Sequence, residues 1–188
     1  MSHSAVNARP RFTWADYQHW PDDERWEIVG GEAYAMSPSP TVRHQHIVRE
    51  LAGPLIAHFK GKQCRPFISL MDVKLSDEDI VQPDLLVVCD PAQIRRTHIE
   101  GPPALVVEIL SPGTRKIDEV TKRKLYERFG VTEYWIADPE LQTIKVYRRA
   151  DGAFVRAAEL SAETGDTLTT PLLPDFSVAL GDVFASPI

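Results

Sequence analysis

The stretch from Ala104 to Tyr126 constrains the fold of this chain more than any other part of the sequence. It begins with six apolar residues that enclose Glu108, and a proline bounds this run on each side. An apolar run of this length between two breakers predicts a strand that is buried on both faces of a sheet. A carboxylate in such a strand is costly unless it is paired, protonated or bound to a cation. Glu108 is therefore a candidate functional residue.

A helix is predicted to follow this strand after a Ser-Pro-Gly loop. Asp118, Lys122 and Tyr126 are spaced i, i+4, i+8 along the helix, so they lie along one side of it. Leu125 and Phe129 project within about 60° of Lys122, which makes this the apolar side that faces the core. The sequence thus brings a buried glutamate and an inward lysine together. Both a catalytic site and a structural ion pair fit this arrangement.

A second candidate acidic residue follows a hairpin and a helix that are predicted in the N-terminal half of the chain. A β-hairpin with a Gly-Gly turn is expected at 26–36, and a helix capped by a threonine is expected over 41–59. Pro54 lies inside that helix and should kink or divide it. The strand-like run 80–89 carries Asp84 at the mouth of a continuously apolar segment. Its composition predicts another buried strand.

Asp84 and Glu108 lie on neighbouring strands if these two buried strands pair. The strand-helix-strand unit 104–138 favours a parallel pair with a right-handed crossover. Two carboxylates about 4–6 Å apart disfavour joint ionisation unless a cation sits between them. Mg²⁺ or Mn²⁺ suits such oxygen ligands, and it needs only one or two carboxylates besides water and substrate phosphate. With Lys122 positioning water or neutralising phosphate charge, the pattern predicts metal-assisted phosphodiester hydrolysis.

These residues resemble the Uma-type restriction endonuclease family, which belongs to the PD-(D/E)XK nuclease superfamily. The resemblance rests on four motifs: Pro83-Asp84, Glu108 within VVEILSP, Asp118-x-x-x-Lys122-x-x-x-Tyr126, and GVTEYW followed by Asp138-Pro139. It extends over roughly residues 12 to 180. It implies an α/β, restriction-endonuclease-like fold with a mixed central β-sheet flanked by helices. It also implies Mg²⁺- or Mn²⁺-dependent hydrolysis of DNA.

The chain departs from the superfamily motif at one position. The motif places a lysine two residues after the second acid, and this chain has Leu110 there. The resemblance therefore implies that the lysine function has moved onto the helix, to Lys122, with Asp118 orienting it. Lys124 is the weaker substitute because it points away from the apolar face of the helix.

The resemblance further implies a metal site built from Asp84, Glu108 and the main-chain carbonyl of Ile109. DNA is the implied partner, and a homodimer with C₂ symmetry is the simplest way to supply the two sites that double-strand cleavage needs. The alternative is a catalytically silent member of the same fold. Such a protein would bind nucleic acid or protein partners and keep the charges as a structural cluster.

Other polar residues are candidates for supporting roles. Three of them are candidate partners of the two acids: His44, Tyr126 and Glu32. A core histidine, a core tyrosine and a surface glutamate are the alternatives. Three cations on the following loop and helix are candidate phosphate contacts: Arg115, Lys116 and Arg123. Ordinary helix surface is the alternative for these cations.

Composition sets the remaining expectations. At 188 residues, the chain is expected to form a single endonuclease-like domain over 12–188, behind a flexible tail at 1–11. The net charge of −6 disfavours a protein that coats nucleic acid, although it leaves room for a local basic groove. No apolar stretch reaches the roughly 18 residues of a membrane span, and no apolar signal core is present. A cytoplasmic protein with no membrane partner is therefore predicted. Cys64 and Cys89 lack zinc-site spacing, so reduced thiols are expected, although pairing remains open.

Overall fold

The computed structural model describes residues 10–21, 23–36 and 39–186. The strands of this part of the chain are β1 (Trp26–Val29), β2 (Glu32–Ala35), β3 (Arg65–Ile68), β4 (Val73–Ser76), β5 (Asp79–Val81), β6 (Leu85–Val88), β7 (Ile99–Glu100), β8 (Leu105–Ile109), β9 (Glu133–Asp138), β10 (Thr143–Ala150), β11 (Ala153–Ser161), β12 (Thr167–Thr170) and β13 (Leu173–Ala179). The helices are α1 (Trp14–Tyr17), α2 (Val42–Phe59), α3 (Arg123–Phe129) and α4 (Leu180–Val183), with a 3₁₀ turn (Pro91–Gln93) and a π-helical segment (Ile117–Lys122). Most of the flexible tail predicted at 1–11 lies outside the described residues.

The centre of the fold is a six-stranded mixed sheet in the order β11-β10-β9-β8-β6-β3. The other strands form a separate five-stranded sheet, in the order β2-β1-β5-β4-β7, and the two-stranded β12-β13 sheet. β8 and β9 are parallel, as the strand-helix-strand pattern predicts. β6 pairs antiparallel with β8, with Leu85 opposite Val107. The next position of this register brings Asp84 and Glu108 onto the same edge, so the pairing on which their predicted proximity depends is present.

The central sheet is covered on both faces because its middle strands are mostly apolar. Every residue of β6, β8 and β9 is buried, including the charged residues Glu108, Glu133 and Asp138, which pair internally. On one face, α2 packs Leu51 and Leu55 against Val107. On the other face, α3 packs Leu125 against Val106. Each fully buried leucine contributes about 1.5–3 kcal/mol, so the two cores hold the edge that carries the acids in place.

Of the two effects expected of Pro54, a kink or a division of the second helix, the division does not occur. α2 runs without a break from Val42 to Phe59, and Thr41 caps it by accepting a hydrogen bond from the main-chain N–H of His44. Proline removes one helical hydrogen bond, but the apolar stripe on both sides of it packs on the sheet and offsets that loss. Within the described residues, neither α2 nor any other helix is long and apolar enough to cross a membrane.

The helix after β8 departs from the α-helical geometry that its sequence predicts. Its first part, Ile117–Lys122, is π-helical, and α3 continues it to Phe129. π-Helical turns are rare and occur frequently at functional sites. Gly130 then ends α3 with a φ of 91°, in the left-handed region that glycine adopts without strain.

Cys64 and Cys89 form a disulfide that joins the residue before β3 to the residue after β6. The expectation of reduced thiols is therefore wrong for this structure, and the pairing that the sequence left open is the outcome. The two cysteines face each other because β3 and β6 are antiparallel neighbours. The bond fixes the C-terminal end of β6, whereas Asp84 precedes the N-terminal end of this strand.

Candidate active site

Asp84 and Glu108 line one pocket of about 380 Å³ at the edge of the central sheet. Asp84 precedes β6, and its Oδ2 accepts a hydrogen bond of 2.8 Å from the main-chain N–H of Ile109. The same oxygen lies 3.2 Å from Nε2 of His44, in the first turn of α2. These contacts hold the Asp84 carboxylate against the strand that carries Glu108. A pocket of this size is within the range of small-molecule and substrate sites.

Glu108 is buried and bonded from the helix side, as the sequence predicts. Because side chains alternate along β8, Glu108 points to the face that α3 covers. Its Oε1 accepts hydrogen bonds from Nζ of Lys122 at 3.0 Å and from the hydroxyl of Tyr126 at 2.8 Å. Tyr126 is thus both a core residue and a direct partner of Glu108. Leu110, at the position where the superfamily motif has lysine, lies in the apolar core.

Lys122 is surrounded by three carboxylates. Its Nζ lies 2.8 Å from Glu27, 3.0 Å from Glu108 and 3.3 Å from Asp118. Only 2 % of Lys122 is exposed. Burial lowers the pKa of its ammonium group, but the three carboxylates outweigh burial and raise this pKa well above its usual value. Lys122 is therefore a permanently charged group at neutral pH.

Glu27 is a member of this cluster that the sequence reasoning missed. It lies on β1 between Trp26 and Ile28, and only 2 % of it is exposed. Its Oε1 also accepts a hydrogen bond of 2.8 Å from the main-chain N–H of Gln82. The available signal was a charged residue between apolar residues in a predicted strand, which is the signal that identified Glu108.

The π-helical segment turns Asp118 and Lys122 inward. Each of the two is only 2 % exposed. The hydroxyl of Tyr134, on β9, donates a 3.1 Å hydrogen bond to the main-chain carbonyl of Asp118. This bond gives the segment a partner from the sheet, which holds the inward-facing turn against the acids.

The excess negative charge of the cluster and one unsatisfied carboxylate oxygen both fit a divalent cation. The cluster contains one lysine and four carboxylates, of which those of Glu27, Glu108 and Asp118 contact Lys122 and that of Asp84 does not. Burial raises the pKa of Glu108 well above its usual value, and the neighbouring carboxylates raise it further, whereas Lys122 lowers it. Oδ1 of Asp118 is buried and accepts no hydrogen bond from the described residues, although Lys122 lies within ion-pair distance. A cation would relieve both the excess negative charge and the unsatisfied oxygen.

The protein alone offers an incomplete set of metal ligands. In residues 10–21, 23–36 and 39–186, no three His, Cys, Asp or Glu side chains are arranged as a group that could hold a metal ion. Mg²⁺ commonly uses one or two carboxylates and completes its octahedron with water and substrate phosphate. The donor chemistry therefore fits Mg²⁺ or Mn²⁺ better than Zn²⁺, which prefers nitrogen and sulfur ligands.

Two of the remaining predicted site residues reach the pocket and three do not. His44 contacts Asp84, and its Nδ1 is buried without a hydrogen-bond partner in the described chain. Arg115 lines the pocket, but it pairs with Asp138 at 2.6 Å and also contacts Glu140. The three that are absent from the pocket lining are Glu32, Lys116 and Arg123. Glu32 is exposed on β2, and Glu27 of β1 occupies the cluster instead.

Two other arginines line the pocket and were missed by the sequence reasoning. Arg43, in the first turn of α2, donates to the carbonyl of Pro139 at 3.2 and 3.1 Å. Arg25 precedes β1, and its buried Nε has no hydrogen-bond partner among the described residues. Both come from segments distant in sequence from Glu108, so only the fold brings them to the site.

The comparisons with known proteins agree with this architecture. A crystal structure of a putative nuclease belonging to DUF820, from Anabaena variabilis, matches with a TM-score of 0.75 over 92 % of this chain and 97 % of that chain. The sequence identity is 21 %, so this likeness concerns the fold. It confirms the predicted α/β, restriction-endonuclease-like fold with a mixed sheet and flanking helices.

Two sequence comparisons add to the structural match. The protein slr1290 of Synechocystis sp., described as uncharacterised, is 28 % identical over 157 residues, covering 80 % of this chain and 81 % of that protein. Residues 14–181 match the Uma2 family, whose description is "Putative restriction endonuclease". This match spans most of the chain and includes every residue of the acidic cluster. The chain belongs to the Uma2 family, the family of restriction-endonuclease-like proteins that its sequence motifs resemble.

Proposed function

We propose that this protein is a metal-dependent endonuclease that hydrolyses phosphodiester bonds of DNA. The observation that carries the proposal is the meeting of Asp84, Glu108 and Lys122 at one open pocket. Metal-assisted hydrolysis uses acids that hold a cation, and a lysine can assist it by contacting the reacting phosphate or water. The membership of a nuclease-like family supports the same reaction class.

Asp84 and Glu108 are the proposed metal ligands, together with the main-chain carbonyl of Ile109. When bound, Mg²⁺ or Mn²⁺ would polarise the phosphoryl oxygens and lower the pKa of a bound water. Asp118 is a further candidate ligand because its buried Oδ1 has no hydrogen-bond donor in the described chain. His44 fixes the orientation of the Asp84 carboxylate through its 3.2 Å contact.

Lys122 is the proposed catalytic lysine. Its ammonium group lies 3.0 Å from Glu108, on the pocket lining, where it can donate a hydrogen bond to an attacking water or to a phosphate oxygen. Glu27 and Asp118 hold the ammonium from the other directions. Because the group stays charged, its role is to orient water and stabilise developing negative charge.

Arg43 and Arg25 are the proposed phosphate contacts in the pocket. Both line the pocket, and the Arg43 side chain is anchored by the carbonyl of Pro139. Arg115 is a weaker candidate because Asp138 and Glu140 already neutralise its guanidinium. Lys116 and Arg123 would serve only a longer nucleic-acid track outside the pocket.

A cleavage assay tests the proposal directly. Supercoiled plasmid, linear duplex and single-stranded oligonucleotides of DNA and RNA are incubated with the protein and either Mg²⁺, Mn²⁺ or EDTA. Products that require the metal and that are absent with Glu108→Gln support the proposal. If no nucleic acid is cleaved under any of these conditions, the catalytically silent alternative is correct.

A cytoplasmic location remains a prediction.

The replacement of Asp84 by asparagine is expected to weaken Mn²⁺ binding by about 10-fold or more, because a carboxylate ligand becomes a neutral amide. Asparagine can still accept the hydrogen bond from the N–H of Ile109, so the fold should be retained. Isothermal titration calorimetry with Mn²⁺ measures the effect. Asp151→Asn, on an exposed turn, is the matched control and should bind Mn²⁺ like the wild type. Equal affinity in Asp84→Asn and wild type would remove Asp84 from the metal site.

The assembly prediction is a homodimer. Double-strand cleavage needs two active sites, and C₂ symmetry supplies them with one kind of interface. Sedimentation velocity at micromolar concentration, with and without DNA, should give the mass of two chains. A monomer under both conditions would contradict this prediction.

A further inference from the structure

A second cleft, whose lining includes four aromatic side chains, shares Arg25 with the pocket that holds the acids. Its volume is about 390 Å³. We call it the aromatic cleft, and its rings are Trp14, Tyr17, Trp20 and Trp26. Successive rings are in contact, with centroid distances of 5.6 Å for Trp14–Tyr17, 5.5 Å for Tyr17–Trp20 and 5.7 Å for Trp20–Trp26. Three of the four tryptophans of the chain therefore line one surface feature.

The aromatic cleft is accessible to solvent. Its four rings are all intermediate in exposure, unlike Trp135, which is fully buried in the core. Leu70, also on the lining, is 61 % exposed. The rings do anchor α1 to β1, but that packing leaves an open cavity beside them. Partly exposed aromatic faces of this kind are the platforms on which bases of single-stranded nucleic acid stack.

Polar groups in the aromatic cleft can bond the edge of a planar ligand. Asp72 Oδ1 accepts hydrogen bonds of 2.8 Å from the Tyr17 hydroxyl and 2.8 Å from Nε2 of Gln82. Burial and the Asp72 charge raise the pKa of Tyr17, so its hydroxyl stays protonated and keeps this bond to Asp72. Thr97 adds a hydroxyl to the lining. Unpaired bases are recognised by stacking together with hydrogen bonds to their exposed edges.

The aromatic cleft shares one lining residue with the candidate active site. Arg25 lines both cavities, and its Nη2 lies 3.4 Å from Oε1 of Gln82. The main-chain N–H of Gln82 donates to Glu27, which in turn pairs with Lys122 at 2.8 Å. The guanidinium of Arg25 belongs to both linings, so it is the cation placed to contact a phosphate between them. A strand whose phosphate lies at the acids can thus place an adjacent base in the aromatic cleft.

We propose that the aromatic cleft binds unpaired nucleobases next to the phosphate that occupies the pocket. The protein is then selective for single-stranded or locally unpaired DNA. In a duplex the same bases are stacked on each other and must be extruded at a cost. The inference rests on the proposed function for the position of the phosphate, and it adds the structural class of the substrate.

Binding of labelled oligonucleotides, measured by fluorescence anisotropy, tests the inference without requiring cleavage. All proteins carry Glu108→Gln so that the DNA remains intact. The ligands are a 12-nucleotide single strand, the same sequence as a duplex, and a single strand of equal length with abasic positions at its centre. Trp20→Ala should weaken binding of the single strand by about 10-fold, within the range of losses measured for one stacked base. Binding of the duplex and of the abasic strand should change by less than about 2-fold.

Matched variants separate a local effect from unfolding. Trp20→Phe keeps an aromatic face and should restore most of the single-strand affinity. Leu70→Ala alters an exposed side chain at the cleft and should weaken single-strand binding, whereas Val155→Ala, exposed on β11, should not. Thermal unfolding checks that each variant is folded.

Several outcomes overturn the inference. Equal losses for single strand, duplex and abasic strand in Trp20→Ala would show that the cleft does not recognise bases, and so would no loss at all. Binding of a proline-rich peptide that Trp20→Ala abolishes, with DNA binding unchanged, would assign the cleft to a peptide. If the cleft binds bases selectively but the wild-type protein, with Glu108 intact, hydrolyses no DNA, the inference about the cleft is supported and the proposed enzymatic function is rejected. Hydrolysis of duplex and single strand at rates unaffected by Trp20→Ala would support the enzyme and reject the cleft.

Discussion

Replacement of Lys122 by methionine is expected to lower the rate of phosphodiester hydrolysis by about 10² or more. It is also expected to destabilise the metal-free protein by about 3–5 kcal/mol, the cost of leaving buried charges without their partner. The reason is the contact of Lys122 with Glu27, Glu108 and Asp118, all within 3.3 Å. Without the ammonium group, these acids must take up protons or bind a cation. Cleavage kinetics and urea unfolding in EDTA measure the two effects.

Two further variants separate the loss of chemistry from the loss of stability. Lys124 is on the same helix but exposed, so Lys124→Met should retain the stability and most of the activity. The double variant Lys122→Met with Glu27→Gln removes one of the unpaired charges. It should recover part of the stability but none of the activity. Wild-type cleavage by Lys122→Met, together with inactivity of Lys124→Met, would reject Lys122 as the catalytic lysine.

The sequence alone leads to a different expectation for the stability of Lys122→Met. With only Asp118 and Glu108 in view, methionine keeps the apolar stem and removes a costly buried charge, so the fold should tolerate it. Glu27 reverses this balance because three carboxylates then share one lysine. The stability effect depends on the net charge of the whole cluster, which a sequence motif does not contain.

The parts of the site that were predictable lie within continuous segments of the chain. The buried strand around Glu108 and the inward side of the helix with Lys122 follow from local apolar patterns. The pairing of the Asp84 strand with the Glu108 strand was only a condition of the sequence argument, although two buried strands that each need neighbours are compatible with it. These patterns extend over only a few residues, so they can be recognised in the sequence without knowledge of the fold.

The parts that were missed depend on contacts between distant segments. Glu27 is on a short hairpin strand whose ends are partly exposed, so its pattern does not predict a fully buried site. Arg25 and Arg43 reach the pocket because the fold brings the segment before β1 and the first turn of α2 to the same cavity. The π-helical segment is stabilised by Tyr134 from β9. None of these contacts has a local sequence pattern that specifies it.

Replacement of Glu108 by glutamine is expected to lower hydrolysis by about 10² or more and to weaken Mn²⁺ binding, because one of the two proposed ligands loses its charge. The expected cost in stability is small, since glutamine keeps the shape and can accept the hydrogen bonds from Lys122 and Tyr126. Glu159→Gln, an exposed Glu-to-Gln change on β11, is the control and should behave like the wild type. Wild-type hydrolysis by Glu108→Gln would exclude Glu108 from the reaction.

The same variant should change how stability depends on pH in the absence of metal. Burial and the neighbouring acids raise the pKa of Glu108 well above 4.5 in the folded protein. Below about pH 4.5 both the folded and the unfolded chain hold this proton, so its contribution to stability is fully present. As the pH rises, the unfolded chain releases the proton first, and stability falls until the folded pKa is passed. Asp118, whose pKa is also raised, adds a loss of the same sign.

Urea unfolding in EDTA from pH 4 to pH 9 measures this dependence. The wild-type free energy of unfolding should fall with pH, with a slope of up to about 1.4 kcal/mol per pH unit for each proton held only by the folded state. Glu108→Gln should remove about one such proton from the slope and leave the contribution of Asp118. Mn²⁺ should stabilise the wild type more at pH 7 than at pH 5, because the ion competes with the proton for the same carboxylates. If the slopes of wild type and Glu108→Gln are equal, the proton is held elsewhere in the cluster.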